Sequence, residues 1–414
     1  MTREPETREP GALGPVARGR VGGFAQGWEV AQMFTLFSVD DHIVEPPGVW
    51  VDRVPASLRD RVPHVVERDR RQWWVWDGGQ EATMGLNAVA GRPIETWGAE
   101  PARFDEMIPG CYDPTERAKD LLSNGIFASI AFPTLPGFAG RKFQTFPDKE
   151  LAVVCVQAWN DFVIDEWCAA QPDLFVPMSI APVWDVDLAV AETRRMLDRG
   201  TKALCWMEDP ANLGLPGYHG GYWDPLFALC EEAGLPVCMH IGGALPTVTL
   251  EGTVPMVEIA TAFAHAARSS VNMMVSPIPR RYPAIKLVWS EGGIGWVGAA
   301  LERADRQWER HKYWTHLDHV DVLPSEVAKR NMWFCMIEEP LGLRHRHDFT
   351  VDHVVWESDY PHADTPFPHT QAACTALFAG VPADEVEAIT HGNAEALFDF
   401  PLSRDLVARH TATD

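Results

Sequence analysis

Residues 33–42 read Met33-Phe34-Thr35-Leu36-Phe37-Ser38-Val39-Asp40-Asp41-His42, a short apolar run that ends abruptly in two carboxylates and an imidazole. The pattern is that of a buried strand delivering polar groups at its C-terminal end. Alternate residues of a strand project to the same side, so Asp40 and His42 can converge on one ion while Asp41 points elsewhere. Carboxylate oxygen together with neutral imidazole suits a divalent cation such as zinc or manganese. A strand end followed by an Asp-rich turn is the competing reading, and only distant ligands decide between the two.

Outward from this strand, apolar strand-like runs alternate with amphipathic helical stretches, the signature of a parallel sheet built from strand-helix units. Strands are predicted at Ile126–Phe132 (IFASIAF), Val176–Ala181, Lys202–Met207, Leu235–His240, Ile285–Trp289, Met332–Met336 and Val354–Trp356. Helices are predicted between them at Gln157–Cys168, Asp187–Arg199 and Pro225–Ala233, and at a stretch through Arg303 to His311. The series predicts an α/β fold, a closed (β/α)8 TIM barrel with its reactive groups at the strand C-termini. Residues 50–109, with Trp73, Trp74 and Trp76, interrupt the rhythm and predict an inserted loop or small hairpin near the mouth. Residues 1–30, rich in Gly, Pro, Arg and Glu, predict a flexible extension. Residues 31–400 then form a single domain, and residues 401–414 a frayed C-terminal tail.

The net charge of -23, from 35 basic and 58 acidic residues, opposes binding to nucleic-acid phosphates or anionic membranes. It is compatible with a cationic pocket inside an acidic body. The eight cysteines are scattered with no C-x-x-C pair, which argues against a thiolate zinc site and fits reduced thiols in a cytoplasm. No apolar stretch has the length to span a membrane, and the first residues lack an apolar signal region. A soluble cytoplasmic protein is the expectation.

Chemistry-bearing residues recur where apolar strands end. His240 closes LPVCMH, Glu291 follows IKLVWS, and Asp359 follows VVWES ahead of Tyr360-Pro361-His362. Each has a plain structural reading: a hydrogen-bonded histidine, a carboxylate at a helix N-terminus, a turn cap. Joint placement at the ends of separate strands favours a shared site. Asp40, His42, His240 and Asp359 then form a mixed oxygen and nitrogen set that leaves room for water or substrate on the ion.

The strings SVDDHIVEPP, PGCYDPTERAKDLLSNGIFASIAFP, CMHIGG, SEGGIGWVGAALERAD and WESDYPHADTPFP occur in that order. They resemble the amidohydrolase-related, metal-dependent TIM-barrel family that includes aminocarboxymuconate-semialdehyde decarboxylase and the resorcylate decarboxylases, over residues 36 to 400. The resemblance implies a first-strand ligand pair at Asp40 and His42, a later His at His240 and a last-strand Asp at Asp359 that also handles a proton. It further implies one divalent metal and a homodimer. The chain departs from the decarboxylase pattern at Glu291, where those members carry a His before the Gly pair. That exchange replaces a proton donor with an acceptor that is normally ionised.

The leading expectation is therefore metal-assisted hydrolysis of a small cyclic or aromatic substrate. Asp359 would accept a proton from metal-activated water, and Glu291 or His362 would manage the leaving group. Arg280 and Arg281 are candidate partners for a substrate carboxylate, against the commoner outcome of an exposed pair. The alternatives are non-oxidative decarboxylation of an aromatic or enol acid, with Asp359 protonating carbon, and a non-catalytic barrel that binds a small molecule. Zinc is expected ahead of manganese. The seventeen tryptophans suggest either an aromatic-lined pocket or a large core.

Overall fold

Eight parallel strands carry the fold of the computed structural model, which describes residues 33–82, 85–243, 252, 254–317 and 320–411. The extension expected at residues 1–30 lies outside these. The strands are β1 (Leu36–Ile43), β2 (Ile126–Pro133), β3 (Phe175–Val176 and Met178–Ser179), β4 (Ala203–Trp206), β5 (Val237–His240), β6 (Leu287–Ser290), β7 (Met332–Met336) and β8 (Val354–Trp356). Every residue of β1 and β2 is buried, as expected of strands covered on both faces.

One ladder runs β1-β2-β3 and a second runs from β3 through β4, β5, β6 and β7 to β8, all parallel. The ladders change over at Pro177, which has no N–H to give. Its carbonyl accepts the Lys202 N–H at 2.7 Å, so the strand expected over Val176–Ala181 is two short pieces. Main-chain bonds from His42 N to Tyr360 O (2.7 Å) and from Asp359 N to Asp40 O (2.8 Å) join the end of β1 to the segment after β8. Strand order and connectivity are those of the (β/α)8 TIM barrel.

Helices follow the strands and start at recognisable caps. Asp113 and Asp148 accept backbone N–H groups at the starts of Pro114–Ser123 and Lys149–Phe162, and Asp185 does so for Val186–Asp198. The helix expected at Gln157–Cys168 begins earlier, at Lys149, and ends in a wide π turn over Val163–Cys168. The interruption at residues 50–109 contains a three-stranded antiparallel sheet of His64–Arg68, Arg71–Trp76 and Gly79–Glu81. Trp74 is buried there, edge-on to Trp50 at 5.4 Å. Trp159, Trp206, Trp289 and Trp356 are likewise buried, so these tryptophans serve the core rather than a pocket.

Part of the segment expected as a frayed tail is helical. Arg404–Thr411 forms a helix whose Leu406 is buried, and the preceding Leu402 N–H bonds Glu395 at 3.0 Å. A single well-placed leucine anchors this segment, too weak a periodic signal to be seen beside its polar neighbours.

Candidate metal centre

The strand register brings Asp40, His42, His240 and Asp359 together, and all four are buried. His42 Nε2 lies 3.3 Å from Asp40 Oδ1, 3.1 Å from Asp359 Oδ1 and 3.3 Å from His240 Nε2. His240 Nε2 in turn lies 3.3 Å from Asp40 Oδ2. A cation held at about 2.0–2.2 Å by each donor keeps neighbouring donors roughly 3.0–3.5 Å apart. The observed separations fall in that range.

Hydrogen bonding alone does not explain the cluster. One imidazole Nε2 has at most one proton, yet three acceptors crowd that of His42. Both carboxylate oxygens of Asp40 and both of Asp359 are buried without a hydrogen-bond donor. Unpaired buried carboxylates are costly, and a divalent ion relieves them. His240 Nδ1 donates to Ile241 O at 2.7 Å, which fixes the tautomer and turns the Nε2 lone pair toward the carboxylates. Burial, with the nearby His362 and His240, holds His42 well below the usual imidazole range, so it stays neutral and able to ligate. Burial and the Glu357, Glu291 and Asp359 carboxylates push Asp40 well above the usual carboxylate range.

Two further predicted residues reach the same point. Glu291 Oε2 is 3.0 Å from His240 Nε2, and His362 Nδ1 is 3.2 Å from Asp359 Oδ1. The His362 ring lies parallel to that of His42 at 3.6 Å. Ligand atoms of His42, Glu291, Asp359 and His362 fall within 4.8 Å of one another, as do those of Asp40, His42 and His240. Glu291 and Asp359 both adopt left-handed backbone, φ 56° and 53°, a conformation uncommon outside glycine and concentrated at functional sites. Burial would lower the proton affinity of His362, but the Asp359, Glu291 and Asp364 carboxylates outweigh it and raise it.

Arg280 and Arg281 are not brought to this cluster. They precede β6 and so lie at the opposite end of the strand from Glu291. Arg280 donates to the carbonyls of Met274, Ser276 and Val322, and Arg281 pairs with Asp224.

Several residues around the cluster were not singled out in the sequence. Glu357 is buried and accepts the Glu291 N–H at 3.1 Å. Its spacing two residues before Asp359 is the same-face signal already read at Asp40 and His42. Asp41 does point away, as the alternation predicts, and accepts from Ser38 Oγ (3.0 Å), Ser129 Oγ, Ser358 Oγ (2.9 Å) and Tyr360 N (3.1 Å). Burial pushes it up to about 6 despite the nearby Arg117. Arg117, fully buried, donates to Gly110 O and His42 O, both at 2.6 Å, and so holds the backbone of His42. Its guanidinium lies over the Tyr360 ring at 4.3 Å.

Two cavities open beside the cluster. One, about 280 Å³, is walled by Glu291, Glu338, Glu339, Glu357 and Asp364. The other, about 390 Å³, is bounded by Thr134, Phe138, Arg141, Lys142 and His362, with Glu81 from the inserted sheet. Phe138 lies parallel to the His240 ring at 3.7 Å. The loop that carries Phe138 is pinned by Glu45, which accepts from Thr134 N (3.0 Å), Leu135 N (2.8 Å) and Trp159 Nε1 (3.1 Å). Burial pushes Glu45 up to about 7 against those donors.

A barrel whose strand C-termini present buried carboxylates and imidazoles to one point defines a class, the metal-dependent TIM-barrel enzymes. The amidohydrolase family model matches residues 84–400, and the chain belongs to that family. It is 28% identical to the gamma-resorcylate decarboxylase of Rhodococcus jostii over 204 residues, a match covering 46% of this chain and 57% of that protein. The fold is similar to an amidohydrolase from Mycobacterium avium subsp. paratuberculosis, with 18% identity, TM-score 0.67, and 90% and 99% of the two chains covered. It is also similar to the 5-carboxyvanillate decarboxylase of Novosphingobium aromaticivorans, solved with manganese and 4-hydroxy-3-methoxy-5-nitrobenzoic acid, with 17% identity, TM-score 0.61, and 89% and 97% covered.

Proposed function

We propose that the protein is a metal-dependent, non-oxidative decarboxylase of a small aromatic carboxylic acid. The observation that carries this reading is the convergence of donor-less carboxylates on two imidazole nitrogens. The decarboxylases among its relatives favour carbon dioxide loss over the hydrolysis that Glu291 suggested. Asp40, His42, His240 and Asp359 would hold one divalent cation. When bound, the cation supplies positive charge to hold the substrate carboxylate and an adjacent oxygen.

The chain's own residues do the rest. Phe138 offers a flat face to an aromatic ring beside His240. Asp359 delivers a proton to the ring carbon that bears the carboxylate. The carbon–carbon bond then breaks, carbon dioxide leaves, and the freed electron pair restores the ring. His362, 3.2 Å from Asp359, resupplies the proton. Glu291, whose Oε2 lies 3.0 Å from His240 Nε2, adds an oxygen donor toward the same cation rather than a proton donor.

Oxygen donors outnumber imidazoles once Glu291 is counted, which favours manganese over the zinc expected from sequence. The manganese-bound relative supports that choice. We also propose a homodimer, with the exposed Met256, Val257, Ile259 and Phe263 around the helix Pro255–Thr261 as the covered surface. No helix among the described residues is long and apolar enough to cross a membrane. The proposed setting is the cytoplasm, with a small molecule as the partner of the active site.

The test is anaerobic incubation of manganese-loaded protein with hydroxybenzoic acids in D2O and no added cofactor. The expected result is one carbon dioxide and one ring deuterium per turnover. Hydrolysis of aryl esters or lactones with every acid left intact would return the hydrolytic reading.

A further inference from the structure

We propose that Cys205 is a positioning residue for aromatic recognition: its sulfur holds Ala139 and so seats the neighbouring Phe138 ring on His240 as the surface against which a substrate ring stacks. This rests on the aromatic-acid reading and assigns the residue that sets the ring preference of that site. Phe138 lies parallel to His240 at 3.7 Å and also lines the 390 Å³ cavity beside the metal donors. The face turned away from His240 is the one a ring in that cavity meets.

The loop that carries Phe138 follows an unfavourable path. Gly137, Ala139 and Gly140 all adopt left-handed backbone, at φ 66°, 61° and 72°. Glycine takes that conformation freely, but Ala139 pays a steric penalty in it that contacts around the loop must offset. Glu45 fixes the start of the loop at Thr134 and Leu135. At its middle the Ala139 N–H donates to Cys205 Sγ at 3.1 Å, and both residues are fully buried. Gly140 sits close on Ile180, where an added Cβ would come within 3.1 Å of the Ile180 side chain.

Strand register explains why the acceptor stands there. Cys238 is two residues before His240 on β5 and shares its face, and Cys205 on β4 is the register partner of Cys238. The Cys205 thiol therefore points to the same side of the sheet as the His240 ring. A buried N–H without an acceptor is costly, and the sulfur supplies one. Burial pushes the thiol up to about 12, so it stays protonated and serves as an acceptor rather than as a nucleophile. One hydrogen bond thus ties the barrel wall to the residue next to the stacking ring.

The experiment compares 2-hydroxybenzoate with cis-2-hydroxycyclohexane-1-carboxylate, which keeps the carboxylate and the neighbouring oxygen but has no flat ring. Dissociation constants are measured by calorimetry on the manganese-loaded full chain, and the ratio of the two is the ring preference. The wild type should prefer the aromatic acid by about three- to tenfold, the worth of one aromatic stack. Phe138→Leu should abolish that preference. Cys205→Val, which fills the space of the thiol without an acceptor, should lower it at least twofold, and Cys205→Ser, which keeps an acceptor, should retain most of it. Cys205→Ala carries the same expectation as valine should the branched side chain prevent folding. Adding Cys205→Val to Phe138→Leu should change the ratio no further, because the thiol acts through that ring.

Five results overturn the proposal: no preference in the wild type, a preference that survives loss of the acceptor, an equal loss in Cys205→Ser, weakening of both acids alike, or no binding of either. Carbon dioxide release is scored separately on the same samples. A preference that follows Cys205 without any carbon dioxide keeps the positioning role and removes the decarboxylase. Carbon dioxide release with no ring preference does the reverse.

Discussion

Glu291 is where the sequence reading departs from the decarboxylase pattern, and Glu291→Gln gives a result whose size depends on the metal. Ligand atoms of Glu291 and Asp359 fall within 4.8 Å of each other. Two unit charges at that distance repel by about 3.5 kcal/mol at an effective dielectric of about 20. The Glu291 side chain is 21% exposed, and solvent screening brings the figure to roughly 1–3 kcal/mol. Without metal, removing the charge stabilises the fold. A body the size of residues 33–411 unfolds with an entropy near 0.8 kcal/mol per degree, so the metal-free midpoint should rise by about 1–4 °C.

With metal that gain is offset. A cation at a thousand times its dissociation constant adds about 4 kcal/mol, or about 5 °C, to the wild type. A thirtyfold weaker site, typical of losing a partner close to the ligands, forfeits about 2 kcal/mol of that, or 2–3 °C. The substitution leaves the backbone requirement alone, because Gln at φ 56° carries the same strain as Glu. Scanning calorimetry with chelator and with manganese tests both halves. A metal-free midpoint that is unchanged or lower, with the full metal increment retained, refutes the reasoning.

Three further outcomes follow from the same geometry. His240→Ala should lower the metal content of the purified protein at least tenfold by atomic absorption, and unchanged content would remove His240 from the ligand set. Glu45, pushed up to about 7, holds its proton more tightly folded than unfolded. Its contribution is therefore present below the ordinary carboxylate range and lost as pH rises through about 7, by up to about 3 kcal/mol. Urea midpoints over pH 5–8 should fall less steeply for Glu45→Gln than for the wild type, and parallel curves would rule this out. Arg117→Met should cost about 2–4 kcal/mol, because the carbonyls of Gly110 and His42 lose a buried charged donor. An unchanged denaturation midpoint would count against that role.

The buried cluster of carboxylates and imidazoles was legible because strand alternation is a strict geometric rule. Asp40 and His42 share a face two residues apart, and His240 and Asp359 lie at or just beyond strand C-termini, where a barrel gathers its chemistry. The same rule, applied to Glu357 and Asp359, would have exposed Glu357. Applied to Arg280 and Arg281, which precede a strand, it would have set them at the far end of the barrel. Arg141 and Phe138 had no such signal. They belong to a loop whose path is set by Glu45 and Cys205, partners distant in sequence, and no local periodicity reports such a path. The helix at Arg404–Thr411 escaped for the opposite reason, since one buried leucine leaves no repeating pattern.

Asp41, the residue that turns its back on the metal donors, has a consequence in time. Its carboxylate is held by Ser38 and Ser129 on one side and by Ser358 and Tyr360 on the other, the last two more than three hundred positions along the chain. The two bonds between β1 and the Asp359–Tyr360 segment span the same interval. During synthesis at about 5–20 residues per second, β1 emerges well before the segment that fastens it. Asp40 and His42 therefore wait, without Asp359 and without the lock behind them, until the chain is nearly finished. A ribosome-bound or prematurely terminated product lacking residues beyond 356 would carry the opening motif without Asp359 and His362, so the full set of converging side chains marks a chain that is nearly finished.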